Sequence, residues 1–184
     1  IDEEIKRLSD MVSDLALLTS RGSRGQTDVI TYGKVDLSSL VDSIVKRCET
    51  LAIDKNISIE VKNIPKISIS GNEPYLEKMF MNLVRNSIIY GKENGHTVVS
   101  AKLSKGQVQI NVQDDGIGVS KEDINHIFER FYRGDKSHHS DGNRTGLGLA
   151  IVKWVAEIHG GSVGVKSAPN KGSIFSVKLP IKRS

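Results

Sequence analysis

The sequence predicts an α/β (α+β) fold, a two-layer sandwich in which a mixed sheet of about five strands packs on three helices, plus an N-terminal helix. The first observation is that each predicted element has a single apolar face. The strand-like segments alternate apolar and polar residues, and the helical segments carry one apolar stripe. The second is composition, since 38% hydrophobic and 26% charged residues are typical of a globular chain. A length of 184 residues then corresponds to one domain, or one domain with an appendage.

The N-terminal segment is predicted to be a helix with a heptad-like apolar seam, formed by Ile5, Leu8, Val12 and Leu15. Residues 1–22 form this unit and residues 23–28 form a linker, because the surrounding stretch contains two glycines and no large apolar residue. A helix this short needs a partner surface, so we expect the seam to pair with another copy. The chain lacks an initial Met and opens in a helical pattern, which suggests a piece of a longer protein.

Residues 29–184 are predicted to form the α/β domain. Alternating segments predict strands at 29–35 (as a short edge strand), 56–61, 66–70, 97–103, 107–113, 162–167 and 173–179. Apolar stripes predict helices from an Asp36 N-cap to about Lys55, from Asn72 or Glu73 to Tyr90, and from about Leu147 to His159. Ser120 and Asp123 resemble a capping box, and residues 128–145 are expected to form a long functional loop, mobile without ligand over 134–145.

Composition and charge exclude several classes of protein. The formal net charge of +4 comes from basic and acidic residues spread along the chain, which favours an ordinary mixed surface and predicts no nucleic-acid partner. Cys48 is the only cysteine, so the chain forms no internal disulfide, and no Cys/His cluster indicates zinc. No apolar run approaches the ~20 residues that span a membrane.

The segment Asp114-Asp115-Gly116-Ile117-Gly118 follows directly on the predicted strand 107–113. A carboxylate at a strand end can accept a hydrogen bond from an amino group buried against it, and the glycines would let a planar ligand approach the backbone. The same letters also fit an ordinary turn, so this motif alone leaves both interpretations open.

The segment Gly146-Leu147-Gly148-Leu149 opens the last predicted helix. Glycines at a helix start expose backbone N–H groups, and the helix dipole favours a phosphate there. Glycine near a helix start is also common without any ligand.

Asn82 and Asn86 lie one turn apart on the same face of the predicted helix 73–90. An amide oxygen is a hard ligand that suits Mg²⁺. The alternative is an amide that bonds to backbone, which we favour for Asn82, whereas the ligand interpretation is favoured for Asn86.

The segment Phe128-Glu129-Arg130-Phe131-Tyr132-Arg133 precedes the long loop. Arg130 and Arg133 could reach phosphates, while Phe128 and Phe131 would anchor the loop. The alternative is a helix end with solvated arginines.

The order and spacing of the four motifs resembles the catalytic, ATP-binding domain of bacterial sensor histidine kinases, in the superfamily shared with gyrase, Hsp90 and MutL. The matching segments are NLVRNSIIYG, DDGIGV, IFERFYRGD and TGLGLAIVK, together with the tail HGGSVGVKSAPNKGSIFSVKLP. The resemblance covers about residues 29–180. Residues 1–22 look like the second helix of the family's dimerisation and phosphotransfer hairpin.

The resemblance implies ATP and Mg²⁺ as cofactors, Asn86 as the metal ligand, and Asn86 and Arg133 as catalytic residues. Asp114 matches the family's adenine-binding aspartate, and Ser173 falls where the family often has a Thr near the base. The residues implied at the nucleotide are Asn82, Asn86, Tyr90, Asp114, Gly116, Gly118, Arg133, Arg144, Gly146, Leu147, Gly148 and Ser173.

The sequence departs from the family pattern at three points. Ile89 stands where the family commonly has Lys or Arg, so one phosphate contact is lost or is supplied by Lys92 or Arg144. Arg144 itself replaces a glycine. None of the five histidines has the context of the family's phosphoaccepting histidine: His138 and His139 lie in the loop, and His159 looks structural.

Three functions follow from the resemblance. The first is a protein-histidine kinase fragment that carries the kinase half without its acceptor, from the cytoplasmic portion of a membrane-anchored sensor. Such a kinase would have a response regulator as partner, would dimerise through its hairpin and would reach the membrane only through an upstream region. The second is an ATPase, disfavoured because those relatives carry a water-activating Glu at the position of Asn82. The third is a degenerate binding module, which Ile89 keeps open.

Overall fold

The computed structural model describes residues 2–19, 30–134 and 145–182. The elements in chain order are α1 (Asp2–Thr19), β1 (Gly33–Asp36), α2 (Leu37–Asp54), β2 (Ser58–Lys62), β3 (Ser68–Gly71), α3 (Glu73–Tyr90), β4 (His96–Ser104), β5 (Gln107–Asp114), α4 (Gly148–Ile158), β6 (Ser162–Ser167) and β7 (Ser173–Pro180). Within these ranges, none of the helices combines the length and apolarity that crossing a membrane requires.

The main sheet has five strands in the order β2-β4-β5-β7-β6. β2 runs parallel to β4, and the other neighbours are antiparallel, so the sheet is mixed as predicted. On the central strand β5, Val108, Ile110 and Val112 are buried, while the residues between them face away from the core. This alternation gives the sheet one face against the helices, which is the predicted two-layer arrangement.

The predicted strands at 29–35 and 66–70 do not join the main sheet. The corresponding β1 and β3 form a separate antiparallel pair in which Val35 lies opposite Ile69, and both side chains are buried. Each of these strands runs directly into a helix, and the Leu37 N–H donates to the Ile67 carbonyl at 3.0 Å. The pair therefore belongs to the starts of α2 and α3 rather than to the sheet edge, a placement that strand periodicity does not specify.

The helices begin where polar caps predicted them. The Asp36 side chain accepts from the Ser39 N–H at 2.7 Å at the start of α2, and the Asn72 side chain accepts from the Tyr75 N–H at 3.1 Å at the start of α3. Helix α3 packs against both α2 and α4. By contrast α4 has Leu147 at its N-cap position, and among the described residues no side chain caps the N–H groups of its first turn.

His159 joins the end of α4 to the start of α3. It is buried, its Nε2 accepts from the Asn72 N–H at 3.0 Å, and its Nδ1 lies 2.7 Å from the Val155 carbonyl oxygen. Because Nε2 is the acceptor, Nδ1 carries the proton of a neutral ring. The structural role predicted for His159 is confirmed by these bonds.

The N-terminal helix α1 contacts the domain near its C-terminal end. Leu18 is buried, Asp14 pairs with Lys78 of α3, and Arg130 Nη2 donates to the Leu18 carbonyl at 2.6 Å. The residues of the predicted seam lie on another part of the helix surface and are 40–67% exposed: Ile5, Leu8, Val12 and Leu15. Their pairing with another copy, and the boundaries 1–22, 23–28 and 29–184, stay predictions.

Candidate functional site

A buried carboxylate stands at the end of the central strand β5. Asp114 pairs in register with Thr97 of β4 and with Ser173 of β7, and all three side chains are buried. Polar residues therefore meet at the ends of three neighbouring strands, and these strand ends form one edge of the sheet.

The hydrogen bonds of Asp114 come from neighbouring main chain. Its Oδ1 accepts from the Gly116 N–H at 2.9 Å. Burial raises the pKa of the Asp114 carboxyl, N–H donors from Gly116 and Ser173 oppose this rise, and the negative charge of Asp115 adds to it. A carboxylate in such surroundings gains from a ligand that brings an N–H donor.

Glycines let three backbone segments meet around Asp114. A Cβ on Gly116 would lie 2.1 Å from the Tyr90 carbonyl oxygen, one on Gly118 (φ +67°) would lie 2.0 Å from the Ala168 carbonyl oxygen, and one on Gly172 (φ +75°) would lie 2.0 Å from the Asp114 carbonyl oxygen. The close neighbours are protein backbone. Packing of the protein on itself therefore requires glycine at these positions, and the approach of a planar ligand to the same backbone stays a prediction.

Helix α3 presents Asn82, Asn86 and Tyr90 at intervals of one turn, and all three are half-buried. The Tyr90 carbonyl accepts from the Ile117 N–H at 3.1 Å, which joins the end of α3 to the loop after β5. Asn82 lies at the start of α4, because a Cβ on Gly148 would sit 3.1 Å from Asn82 Oδ1. The site therefore has α3 along its length, the β5 loop at one end and the start of α4 at the other.

Main-chain contacts bring the segment before Arg133 to the start of α4. The Phe131 N–H donates to the Gly146 carbonyl at 3.0 Å, and a Cβ on Gly146 (φ +68°) would lie 2.7 Å from the Phe131 carbonyl carbon. Phe131 itself has φ +62°. The Arg133 side chain is exposed two residues further on, so it extends from a fixed base beside the α4 N-terminus.

Of the other aromatic and basic residues of this segment, Phe128 makes the predicted kind of contact, whereas Phe131 and Arg130 do not. The Phe128 ring packs edge-on against Phe175 at 6.4 Å between centroids, as expected of an anchor, but the Phe131 side chain is 57% exposed. The sequence allows Arg130 either to reach phosphates or to face solvent, and in the structure its Nη2 donates to the Leu18 carbonyl at the end of α1. Partial negative charge at a helix C-terminus attracts such a cation.

The Ser120 and Asp123 interaction forms without a regular helix behind it. The Ser120 hydroxyl donates to Asp123 Oδ2 at 2.8 Å and accepts from the Asp123 N–H at 3.1 Å. Residues 121–131 nevertheless form a series of turns.

Most of the remaining predicted residues lie either in the core or outside the described residues. The Leu147 side chain is buried in the core, so only its backbone could face a ligand. Arg144, His138, His139 and almost all of the loop 134–145 lie outside the described residues. Lys92, one candidate for the missing phosphate contact, has its Nζ 3.5 Å from the Asn170 carbonyl oxygen.

The side-chain donors at this edge of the sheet determine which kind of metal ion could bind there. Within residues 2–19, 30–134 and 145–182, no group of three or more His, Cys, Asp or Glu residues is placed to hold a metal ion. Asn86 offers one neutral amide oxygen. These donors fit Mg²⁺, which keeps several waters and shares phosphate oxygens, better than a metal that needs a cage of protein ligands.

Sequence analysis missed two hydroxyl networks that support the site. Thr97 Oγ1 donates to Ser87 Oγ at 3.0 Å, and Ser87 in turn donates to the Val84 carbonyl at 2.8 Å. Ser167 Oγ donates to the Gly172 carbonyl at 2.8 Å, accepts from the Val119 N–H at 2.8 Å and lies 3.0 Å from Ser173 Oγ. The signal for Thr97 was its place on the buried side of an alternating strand, whereas nothing in the local sequence indicates Ser167.

Comparison with known proteins gives concordant matches. The sequence profile of the family described as "Histidine kinase-, DNA gyrase B-, and HSP90-like ATPase" matches residues 71–183. The Sensor-like histidine kinase SenX3 of Mycolicibacterium smegmatis is 36% identical over 177 residues, which cover 96% of this chain and 46% of that relative. The chain thus spans less than half the length of this curated relative.

Solved structures share the fold. Full-length ShkA in complex with AMPPNP is 26% identical, with a TM-score of 0.82 over 99% of this chain and 37% of that one. Histidine kinase ThkA in complex with the response regulator protein TrrA is 20% identical, with a TM-score of 0.75 over 98% of this chain and 49% of that one. The latter likeness shows the fold alone.

The close approach of Gly172 to the Asp114 backbone predicts how a side chain at position 172 would affect stability. Gly172→Ala should lower the free energy of unfolding by about 3 kcal/mol or more. The new methyl group would overlap the Asp114 backbone, and the left-handed conformation at residue 172 would cost roughly 1–2 kcal/mol in addition. Gly106→Ala is the matched control: Gly106 has φ +76° but nothing within 4 Å of its Cβ position, so only the strain applies. Urea unfolding of the two variants measures the difference. Equal losses would show that the close approach at Gly172 is not needed.

Proposed function

The chain belongs to the family of histidine kinase-, DNA gyrase B- and HSP90-like ATPases, and on this premise we propose that it is the ATP-binding phosphoryl donor of a two-component sensor histidine kinase. It binds ATP with Mg²⁺ and gives the γ-phosphoryl group to a histidine on a dimerisation hairpin. The observation that carries the proposal is the meeting of a buried carboxylate, an asparagine-lined helix and an uncapped helix N-terminus at one edge of the sheet.

In this proposal Asp114 recognises the adenine base. Its buried carboxylate accepts a hydrogen bond from the exocyclic amino group, with Tyr90 and Ser173 beside the base and Gly116 and Gly118 keeping the loop in place. Guanine carries a carbonyl oxygen where adenine carries that amino group, and two acceptors facing each other in a buried site repel. The arrangement therefore selects ATP over GTP.

The phosphates and the metal occupy the other end of the site. Asn86 would hold Mg²⁺ through its amide oxygen, and the metal would supply positive charge to the phosphates. The backbone N–H groups at Gly146 and Gly148, on either side of Leu147, face the phosphates, Asn82 lies beside them, and Arg133 supplies a charge-assisted donor. The start of α4 supports this assignment, because among the described residues the N–H groups of its first turn have no capping side chain, whereas the preceding Leu147 N–H donates to Thr145 Oγ1 at 3.2 Å.

The reaction is a phosphoryl transfer. The bond from the γ-phosphorus to the oxygen bridging the β-phosphate breaks, a bond from phosphorus to an imidazole nitrogen of the acceptor histidine forms, and ADP leaves. Little covalent chemistry falls to the protein. Asn86 positions the phosphates through the Mg²⁺ that it would hold, and Arg133 positions them and neutralises part of their charge.

Hydrolysis is the less favoured alternative. It needs a group that accepts a proton from the attacking water, and the neutral amide of Asn82 stands at the position where hydrolytic relatives carry Glu. A degenerate module that binds nucleotide without transferring phosphate remains the second alternative, because Ile89 replaces a common basic residue.

The same proposal predicts the partners and the location of the complete protein. The partners are a response regulator, which receives the phosphoryl group, and a second copy of the kinase, which pairs through the hairpin. An upstream region anchors the sensor in a membrane, and this chain lies on the cytoplasmic side. The ThkA–TrrA complex supports the regulator as partner by likeness of fold only.

Asp114→Asn should weaken ATP binding by roughly 10- to 150-fold, because it removes a buried charge-assisted hydrogen bond and turns an amide NH₂ toward the adenine donor. Asp115→Asn is the matched control, since Asp115 pairs with His96 at 3.1 Å and is only adjacent to the base site. Calorimetric titration of both variants with ATP and GTP makes the comparison. Unchanged ATP affinity in the Asp114 variant would remove that residue from the site.

Asn86→Ala should abolish Mg²⁺-dependent transfer while adenosine binding through Asp114 survives in weakened form. The assay supplies γ-labelled Mg-ATP and a separately made histidine-bearing hairpin, and Arg85→Ala on the exposed side of α3 is the control. If Asn86 is only structural, the variant melts at a lower temperature without nucleotide. Absence of transfer by the unsubstituted chain, with intact ATP binding, would instead select the degenerate module.

A further inference from the structure

One carboxylate in the turns before Arg133 holds the residues on both sides of that arginine. Asp123 is half-buried, and its Oδ1 accepts from the Tyr132 hydroxyl at 2.6 Å. Its Oδ2 accepts from the Ser120 hydroxyl at 2.8 Å, which fixes the orientation of the carboxylate.

Gly134, on the other side of Arg133, packs against the same carboxylate. A Cβ on Gly134 would lie 3.1 Å from Asp123 Oδ2 and 3.4 Å from its Cγ. The Tyr132 side chain and the Gly134 backbone, on the two sides of Arg133, thus both lie against one acidic group, while the Arg133 side chain itself is exposed.

Two further contacts hold the Tyr132 end. The His126 ring stacks on the Tyr132 ring at 5.5 Å between centroids with an interplanar angle of 30°. The preceding Phe131 N–H donates to the Gly146 carbonyl at 3.0 Å, which joins this segment to the start of α4. The segment is therefore fixed relative to the helix N-terminus that faces the phosphates in the proposed function.

We propose that Asp123 is a positioning residue that, through Tyr132 and Gly134, presents Arg133 to the phosphate groups of ATP. This inference rests on the proposed function, because it assigns the phosphates to the Arg133 end of the site. A long arginine side chain loses rotamer freedom when it binds, and a fixed base on both sides removes part of the backbone ordering that binding would otherwise cost. Asp123 touches neither the base nor the phosphates.

Tyr132→Phe and Asp123→Asn in the full 184-residue chain test the inference. Each should weaken Mg-ATP binding by roughly three- to tenfold, as expected for loss of about one hydrogen bond, while adenosine binding stays unchanged. Asp42→Asn is the matched control, since it removes a carboxylate charge from an exposed position on α2 and should leave both affinities unchanged.

A double-mutant cycle with Arg133→Ala separates positioning from general stability. If Asp123 and Tyr132 act through Arg133, adding Tyr132→Phe to Arg133→Ala should cause no further loss of ATP affinity. Additive losses, or an equal loss for adenosine, would overturn the inference, as would full ATP affinity in the Tyr132 and Asp123 variants. Failure of the unsubstituted chain to bind ATP would instead refute the proposed function.

Discussion

The arrangement of the candidate site depends on the burial of one carboxylate at the end of the central strand. A buried carboxylate is costly unless donors surround it, and Asp114 obtains them from the N–H groups of Gly116 and Ser173. To supply the Gly116 donor, the chain must turn back immediately after β5. That turn brings backbone segments together more closely than any side chain permits, which explains the glycines at 116, 118 and 172.

This local constraint sets the positions of the helices that carry the other functional groups. The loop after β5 bonds to the Tyr90 carbonyl, so the C-terminal end of α3 is fixed beside Asp114. The same helix then places Asn86 and Asn82 at increasing distance from the base end, toward Gly148 at the start of α4. His159 ties α4 back to the start of α3. In the proposed function, base recognition and phosphate binding are therefore separated along one helix, which suits a ligand of the length of ATP.

Local sequence predicted the parts of this structure that local physics determines. Asp36 and Asn72 cap helices because their side chains satisfy N–H groups three residues ahead, and the alternation in β4, β5 and β7 follows from one buried face. Contacts between distant segments were not predictable. The pairing of β1 with β3 away from the main sheet and the bond from Arg130 to Leu18 depend on tertiary placement. The motif order indicated 114, 116 and 118 as site residues, which stays a prediction, and the backbone neighbours that require glycine became visible only in the structure.

The central claim is that the buried Asp114 carboxylate receives the amino group of adenine. Carboxyl-carbon NMR of Asp114, titrated against pH with and without adenosine, tests it directly. Burial raises the pKa of Asp114 in the free chain, and the side chain has little water left to lose. A donated hydrogen bond stabilises the ionised form, so adenosine should lower that pKa, and adenosine affinity should fall as acidification protonates the acceptor. A pKa that adenosine leaves unchanged or raises would contradict the account.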